Sequence, residues 1–429
     1  MHPEFTLIRT VLYNLDMRAL DSVTTKMFPL KLNQLTLLIY FLYFSSATAV
    51  KNINHDDIDN HVRKAGNDFV LVGRSEKYKI DYKLILQKED DPLIFDTNDE
   101  SIYVVSHPSS ANRGFGSIQD GKFFGQFRSR NTTFYVDHPE KVGKTGLAIL
   151  YSAEDVLDDG KMEGKYLTAE FNNRVPQPLI SRRKTSGNVC RMRIIVDKFL
   201  LETFGNDRGR VKAMVKDHEM SLNEIYEQIE IRGKPFQFKV VDIEFHDEAY
   251  CRRNRDSVGC RRWSLGEDDQ FLEEHARRDH SDVCLTFLFT SHDFGSTLGV
   301  AYIGTVCSTH RPTITANGQT AKLSANTGFI TFDGKTFVPT SHLTFAHEVG
   351  HNMGSSHDGV GSTSSCPPKG YLMASFAPAR PTEDNKRFSS CSLKSINKAV
   401  QNLLGVIKVK PIEQLVSSFC LGSYETVLG

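Results

Sequence analysis

The chain has 429 residues, room for two or three domains, and a globular composition, 24% charged and 39% hydrophobic. Lys plus Arg and Asp plus Glu each number 52, so no net field recommends nucleic acid or an acidic membrane as partner. No long basic stripe does so either.

The most apolar stretch is LTLLIYFLYF, residues 35–44. It is too short to span a bilayer, which takes about 20 residues, and no transmembrane segment is expected in this chain. Lys31 precedes it and SSATAV follows, the order of a secretory signal, with cleavage expected after Ala49 and functional initiation at Met27. Residues 1–49 are therefore read as an N-terminal extension and signal peptide, and the product as secreted or extracellular.

Residues 50–184 form the next expected unit. FVLVGRSEKYKIDYKLIL and GSIQDGKFFGQFRSRNTTFYVD alternate as antiparallel strands do, with Gly-containing turns, so this half reads as a small β-rich domain. Asn131 opens NTT, a glycan acceptor in a secreted chain. The unit ends in LISRRKTSGNVC, where Arg182, Arg183 and Lys184 make a basic linker of the kind processing proteases cut.

Residues 185–429 differ in kind, because all eight cysteines lie beyond residue 189. An even count behind a secretory signal argues for disulfides, and the lack of any C-x-x-C argues against zinc ligation by them. Spacing alone leaves roughly a hundred pairings open. Strands alternate with helices here: MRIIVD (192–197), a helix from Val211, then FQFKVVDIEF (236–245), VCLTFLFT (283–290), LGVAYIG (298–304) and GFITF (328–332). A helix from about Ser341 follows, and a last one after Cys391, so one α/β domain is expected.

The helix from Ser341 carries HEVGHNMGSSHD, residues 347–358. Residues four apart share a helix face, so His347 and His351 project together, while Glu348 lies about 100° round and borders the same place without ligating. Gly354 suits the left-handed turn that ends a helix and can bring His357 back. Three neutral imidazoles leave one tetrahedral position of Zn²⁺ open to water, as a catalytic site needs, and one zinc per catalytic domain is expected. The H-E-x-x-H-x-x-G-x-x-H string is the metzincin signature, and Met373 in GYLMASF supplies its Met-turn.

TSHLTFAHEVGHNMGSSHDG, LGVAYIG and CSLKSI resemble the ADAM metalloproteases, in the Kuzbanian or alpha-secretase-type branch. GSIQDGKFFGQF and TFYVDHPE resemble that branch's prodomain, and the similarity spans most of residues 60–405. The resemblance implies a β-rich prodomain removed by a processing protease, then a metzincin catalytic domain with a mixed five-stranded sheet and a zinc-binding helix. It implies protein or peptide substrates, cell-surface ectodomains among them, bound extended along the strand LGVAYIG. It further implies the pairs Cys190–Cys284, Cys366–Cys391 and Cys307–Cys420; Cys251 and Cys260 then remain, near enough in sequence to close a short loop, with two free thiols as the alternative. Three departures bear on regulation and location. No cysteine precedes Cys190, so a thiol cap on the zinc is unavailable; SRRK ends in lysine where relatives have arginine; and the chain stops at Gly429, before the disintegrin and transmembrane regions of relatives.

The function expected is zinc-dependent hydrolysis of peptide bonds, with Glu348 as general base and Asp358 as a structural carboxylate beside the site rather than a ligand. Thr344, His347 and the apolar segment ASFAPAR would line a pocket for a hydrophobic residue after the scissile bond. The alternative is a non-catalytic secreted binding or decoy form of a sheddase. A hydrolase of non-peptide substrates is the weakest of the three readings.

Overall fold

The computed structural model describes residues 53–89, 91, 102–138, 146–156, 165–169, 188–231, 233–316, 319–332, 338–378, 381–405 and 421–422. The expected signal segment, the linker residues Arg182, Arg183 and Lys184, and Cys420 lie outside these. Among the described residues no helix is long and apolar enough to cross a membrane.

The N-terminal half is one antiparallel sheet of nine strands: β1 (Asp56–Ile58), β2 (Arg63–Ala65), β3 (Asp68–Ser75), β4 (Ile80–Lys88), β5 (Ile102–Ser106), β6 (Arg113–Gln119), β7 (Lys122–Ser129), β8 (Thr132–Asp137) and β9 (Ala148–Ser152). The period-2 pattern explains β4, where Ile80, Tyr82, Leu84 and Leu86 point inward onto Leu71, Phe123 and Phe127. Asp120 and Gly121 join β6 to β7 with both φ angles positive, 49° and 72°, the two-residue hairpin that Asp-Gly favours. Asn131 is exposed in the turn between β7 and β8.

The second sheet contains β11 (Val189–Val196), β12 (Gln237–Phe245), β13 (Leu285–Thr290), β14 (Thr297–Tyr302) and β15 (Thr327–Thr331), in the order β14-β15-β13-β11-β12. Only β14 runs antiparallel within these five; helices lie between β11 and β12 and between β12 and β13, whereas the parallel neighbours β13 and β15 are connected through β14. Two strands extend the five-stranded expectation to seven: β10 (Lys165–Ala169) pairs in parallel with β14, and β16 (Leu421–Gly422) pairs with the start of β11. Neither shows the length or alternation that marks a strand in sequence, since edge pairing alone selects them.

Each face of this sheet has its own layer. Ile194, Phe287, Phe289, Ala301 and Ile330 face α2 (Arg208–Tyr226), α5 (Val338–Asn352) and α6 (Ser390–Gly405). Their strand neighbours Ile195, Leu288, Val300 and Phe329 face the other way, onto α4 (Asp268–Ala276) and the segment holding Val258 and Trp263. Two shorter helices complete the set used below, α1 (Lys198–Thr203) and α3 (Glu248–Arg253). The Asp197 carboxylate caps α1 through Leu200 N–H at 2.7 Å, and the Asp207 carboxylate caps α2 through Arg210 N–H at 3.0 Å.

The two sheets meet across α2. Tyr103 donates to Asp217 at 2.8 Å, and buried Lys216 reaches Asp91 at 3.1 Å and Glu219 at 2.6 Å. Disulfides join Cys190 to Cys284, Cys251 to Cys260 and Cys366 to Cys391, with Cα separations of 5.4, 5.3 and 6.1 Å. Cys307 is also disulfide-bonded; the partner expected for it, Cys420, lies outside the described residues.

Candidate active site

Three imidazoles converge at the C-terminal end of α5. His347 Nε2 lies 2.9 Å from His351 Nε2, and His351 Nε2 lies 3.2 Å from His357 Nε2. The i,i+4 spacing stacks the first two rings. The third is brought back by Gly354, whose φ of +99° is closed to most side chains.

The other ring nitrogens fix the tautomers. His347 Nδ1 donates to Leu372 C=O at 2.6 Å and His351 Nδ1 to Ser355 C=O at 2.8 Å, so each leaves an Nε2 lone pair pointing inward. Burial, reinforced by the neighbouring imidazoles, holds His347 well below the ordinary histidine value and His351 down to about 3. Lone pairs this close repel unless a cation is shared among them. The donor set therefore fits a borderline-soft divalent metal with an open fourth position.

Glu348 sits beside the imidazoles, fully buried, with neither carboxylate oxygen in a hydrogen bond. Burial raises its carboxyl well above the usual range. Its side chain lies against β14 at Gly299, where a Cβ would stand 2.7 Å from Glu348 Cγ and 2.9 Å from Oε1. Met373 is buried under the ligand helix, with its Sδ so close to Gly350 that a Cβ there would stand 2.5 Å from it.

Asp358 turns away from the rings. Its Oδ1 accepts from Ser389 Oγ at 2.6 Å and Ser392 Oγ at 2.7 Å, and its N–H donates to Met373 C=O at 2.8 Å. It thereby ties the third histidine, the Met373 turn and the start of α6 together. Of the segment after Met373, Ala374 and Ala377 are buried and Phe376 is 43% exposed.

Sequence reasoning passed over two anchors. Asn352 is buried and donates to Tyr302 C=O at 2.9 Å and Thr327 C=O at 3.2 Å, locking the helix end to β14 and β15. Tyr226 donates to Ala346 C=O at 3.0 Å. Both act across long sequence separations, so no local pattern announces them. Gly299 carries a signal only in hindsight, as a glycine inside a strand.

Strand β14 closes the site's other side. Its free edge is taken by β10, with Tyr166 opposite Gly299 and Ala169 opposite Tyr302, and β10 also lies against α5.

Residues 186–389 match the model of metallopeptidase family M12, in its reprolysin set. The human disintegrin and metalloproteinase domain-containing protein 10 is 28% identical over 413 residues, covering 82% of this chain and 53% of that protein. The Caenorhabditis elegans homolog of that protein is 29% identical over 221 residues, 48% of this chain and 24% of it. The human disintegrin and metalloproteinase domain-containing protein 9 is 32% identical over 134 residues, 31% of this chain and 13% of it. The chain thus spans about half the length of the first of these relatives.

Proposed function

As a member of the ADAM metalloproteases, Kuzbanian-type branch, within metallopeptidase family M12, this chain is one for which we propose zinc-dependent endopeptidase activity on protein substrates. The observation that carries the reading is the convergence of His347, His351 and His357 beside a buried, unpaired Glu348, along the strand edge at β14. His347, His351 and His357 would hold the ion. Zinc there supplies the Lewis acidity that brings the pKa of an attacking water to about 7 and polarises the scissile carbonyl.

The chain's own residues do the rest. Glu348 takes the proton of the attacking water and returns it to the departing amine; burial raises its carboxyl above the usual range, which makes the carboxylate a stronger base. The backbone of β14 aligns an extended substrate by edge hydrogen bonds. The Asp358 and Met373 contacts fix the ligand imidazoles while that happens.

We read residues 50–184 as a prodomain and β10 as the segment that holds the cleft until processing near Arg183. Occupation of the β14 edge by β10 supports this, and a noncovalent block suits a chain with no cysteine before Cys190. Three described disulfides suit work in an oxidising, extracellular setting, where cell-surface ectodomains are the substrates we propose.

The test uses processed enzyme with a quenched peptide and elemental metal analysis. Glu348→Ala is expected to retain about one zinc and lose turnover, while His351→Ala loses both. Undiminished hydrolysis in excess chelator would sink the reading, and a processed parent chain that shows no turnover and loses nothing on Glu348→Ala would favour a non-catalytic binding form.

A further inference from the structure

The chain is neutral as a whole, yet its charge is not evenly spread. Between Cys251 and Trp263 lie five arginines, Arg252, Arg253, Arg255, Arg261 and Arg262, against one carboxylate, Asp256. All five are exposed. Arg252 meets Glu248 at 3.6 Å; among the described residues no carboxylate comes within 4.0 Å of the other four.

These cations are held on a stiff frame. The Cys251–Cys260 disulfide closes the loop, and backbone bonds from Asn254 to Tyr250, Ser257 to Asn254 and Cys260 to Ser257 fill it at 2.9–3.0 Å. Arg261 lies over the Trp263 ring at 4.6 Å and Arg262 over Phe199 at 4.9 Å. Trp263 is anchored in turn by its Nε1–H on Val258 C=O at 2.9 Å. A guanidinium stacked on a ring keeps its N–H edges free and already oriented, which lowers the entropy cost of meeting a planar or tetrahedral oxyanion. An ordinary solvated charge run has neither staple nor stacking.

We propose that the disulfide-closed loop 251–260 with Arg261 and Arg262 is a binding site for a sulfated polysaccharide. Arginine forks match sulfate as they match phosphate, in bidentate pairs. The choice among polyanions follows from the staple itself. A structural disulfide belongs to an oxidising compartment, whereas nucleic acid and the anionic lipid leaflet face the cytoplasm. Sulfated glycans are the abundant polyanions on the oxidising side. The loop packs with Val258 and Trp263 on the face of the sheet opposite α5, so a bound polymer leaves the histidine cleft open. The site would concentrate the chain on a glycan-rich surface without competing with peptides.

The experiment measures binding of the full chain to immobilised heparin over a sodium chloride series. Joint replacement of Arg253, Arg255, Arg261 and Arg262 by alanine is expected to cost about tenfold or more in affinity and to flatten the salt dependence, because fewer counterions are released. Replacing Arg63, Lys64, Arg74 and Lys83, exposed cations of the first sheet, should leave affinity unchanged. Cys251→Ser with Cys260→Ser keeps every charge and should still weaken binding severalfold. Unchanged affinity in the four-arginine variant overturns the proposal. So would equal losses from both alanine sets, undiminished binding to desulfated heparin, or stronger binding to phosphatidylserine vesicles than to heparin.

Discussion

Gly299 and Glu348 share a space that admits no methyl group. A Cβ on Gly299 would stand 2.7 Å from Glu348 Cγ, 2.9 Å from Oε1 and 3.0 Å from Cδ, so the strand that borders the cleft is bare where the carboxylate leans on it. Backbone conformation does not demand the glycine, because its φ is not among the positive values.

Gly299→Ala must therefore displace Glu348. We expect kcat to fall by about a hundredfold or more, the range of a lost general base, while zinc content stays at the parent value. Overpacking should also cost about 1–3 kcal/mol of stability. In a Glu348→Ala background that cost should vanish, which ties the effect to this pair. An unchanged kcat in Gly299→Ala would show that the carboxylate has room elsewhere.

Lys216 is enclosed by Asp91 and Glu219 where the first sheet meets α2, with its side chain 3% exposed. Lys239 also contacts Asp91. Lys216→Met fits the aliphatic space but leaves Lys239 as the one cation, among the described residues, that faces both buried carboxylates, for which the expected cost is up to about 3–5 kcal/mol. Urea denaturation of the uncleaved chain measures it. A loss below about 1 kcal/mol would mean that water reaches the cluster.

What could be read in advance divides by the range of the interaction. Strands β3, β4, β6, β7 and β8 of the first sheet, β11 to β15 of the second, and helices α2, α5 and α6 are visible as periodicity or apolar runs, because at least one face of each is buried. The histidine string is legible for the same reason: its spacings are local to one helix and one turn. Asn352 and Tyr226 anchor that helix through partners 50 and 120 residues away respectively, and nothing near them in sequence reveals it. KYLTA becomes a strand only because β14 offers an edge. The charged run RRNRDSVG between Cys251 and Cys260 is plain in the sequence, but the stacking of Arg261 on Trp263 and of Arg262 on Phe199 is not, since Phe199 lies over 60 residues away.

Acid should unfold the domain of the second sheet through its buried histidines. Burial lowers His280 to about 4 and holds His275 well below the ordinary value, while His280 Nε2 donates to His275 C=O at 3.1 Å. In the unfolded chain both take up protons below about 6.5. Between that pH and about 4 the unfolded state binds more protons, so stability is present above 6.5 and is lost as pH falls through the window. The slope is expected to be about 1 kcal/mol per pH unit for each histidine. His280→Gln preserves the donor and should remove one such share, as measured by denaturation between pH 4 and 7; an unaltered slope would place the proton uptake elsewhere.

The latency assigned to β10 can be tested without removing the prodomain. Along a strand, consecutive N–H groups point to opposite sides, so one of Tyr166 and Leu167 gives its N–H toward β14 and the other away. Proline at the first kind of position deletes a ladder bond and disfavors the strand; at the second it is better tolerated. Tyr166→Pro and Leu167→Pro should therefore differ, one raising the basal peptidase activity of the uncleaved precursor by about tenfold, the equivalent of roughly 1.4 kcal/mol of lost edge pairing, and the other raising it less. Mass spectrometry of the assayed sample establishes that the chain is intact. Mercurial reagents should leave the parent precursor silent, because no cysteine precedes Cys190 for them to displace. If neither proline variant exceeds the parent, β10 does not hold the cleft, and the block must come from the first sheet's contacts with α2 instead.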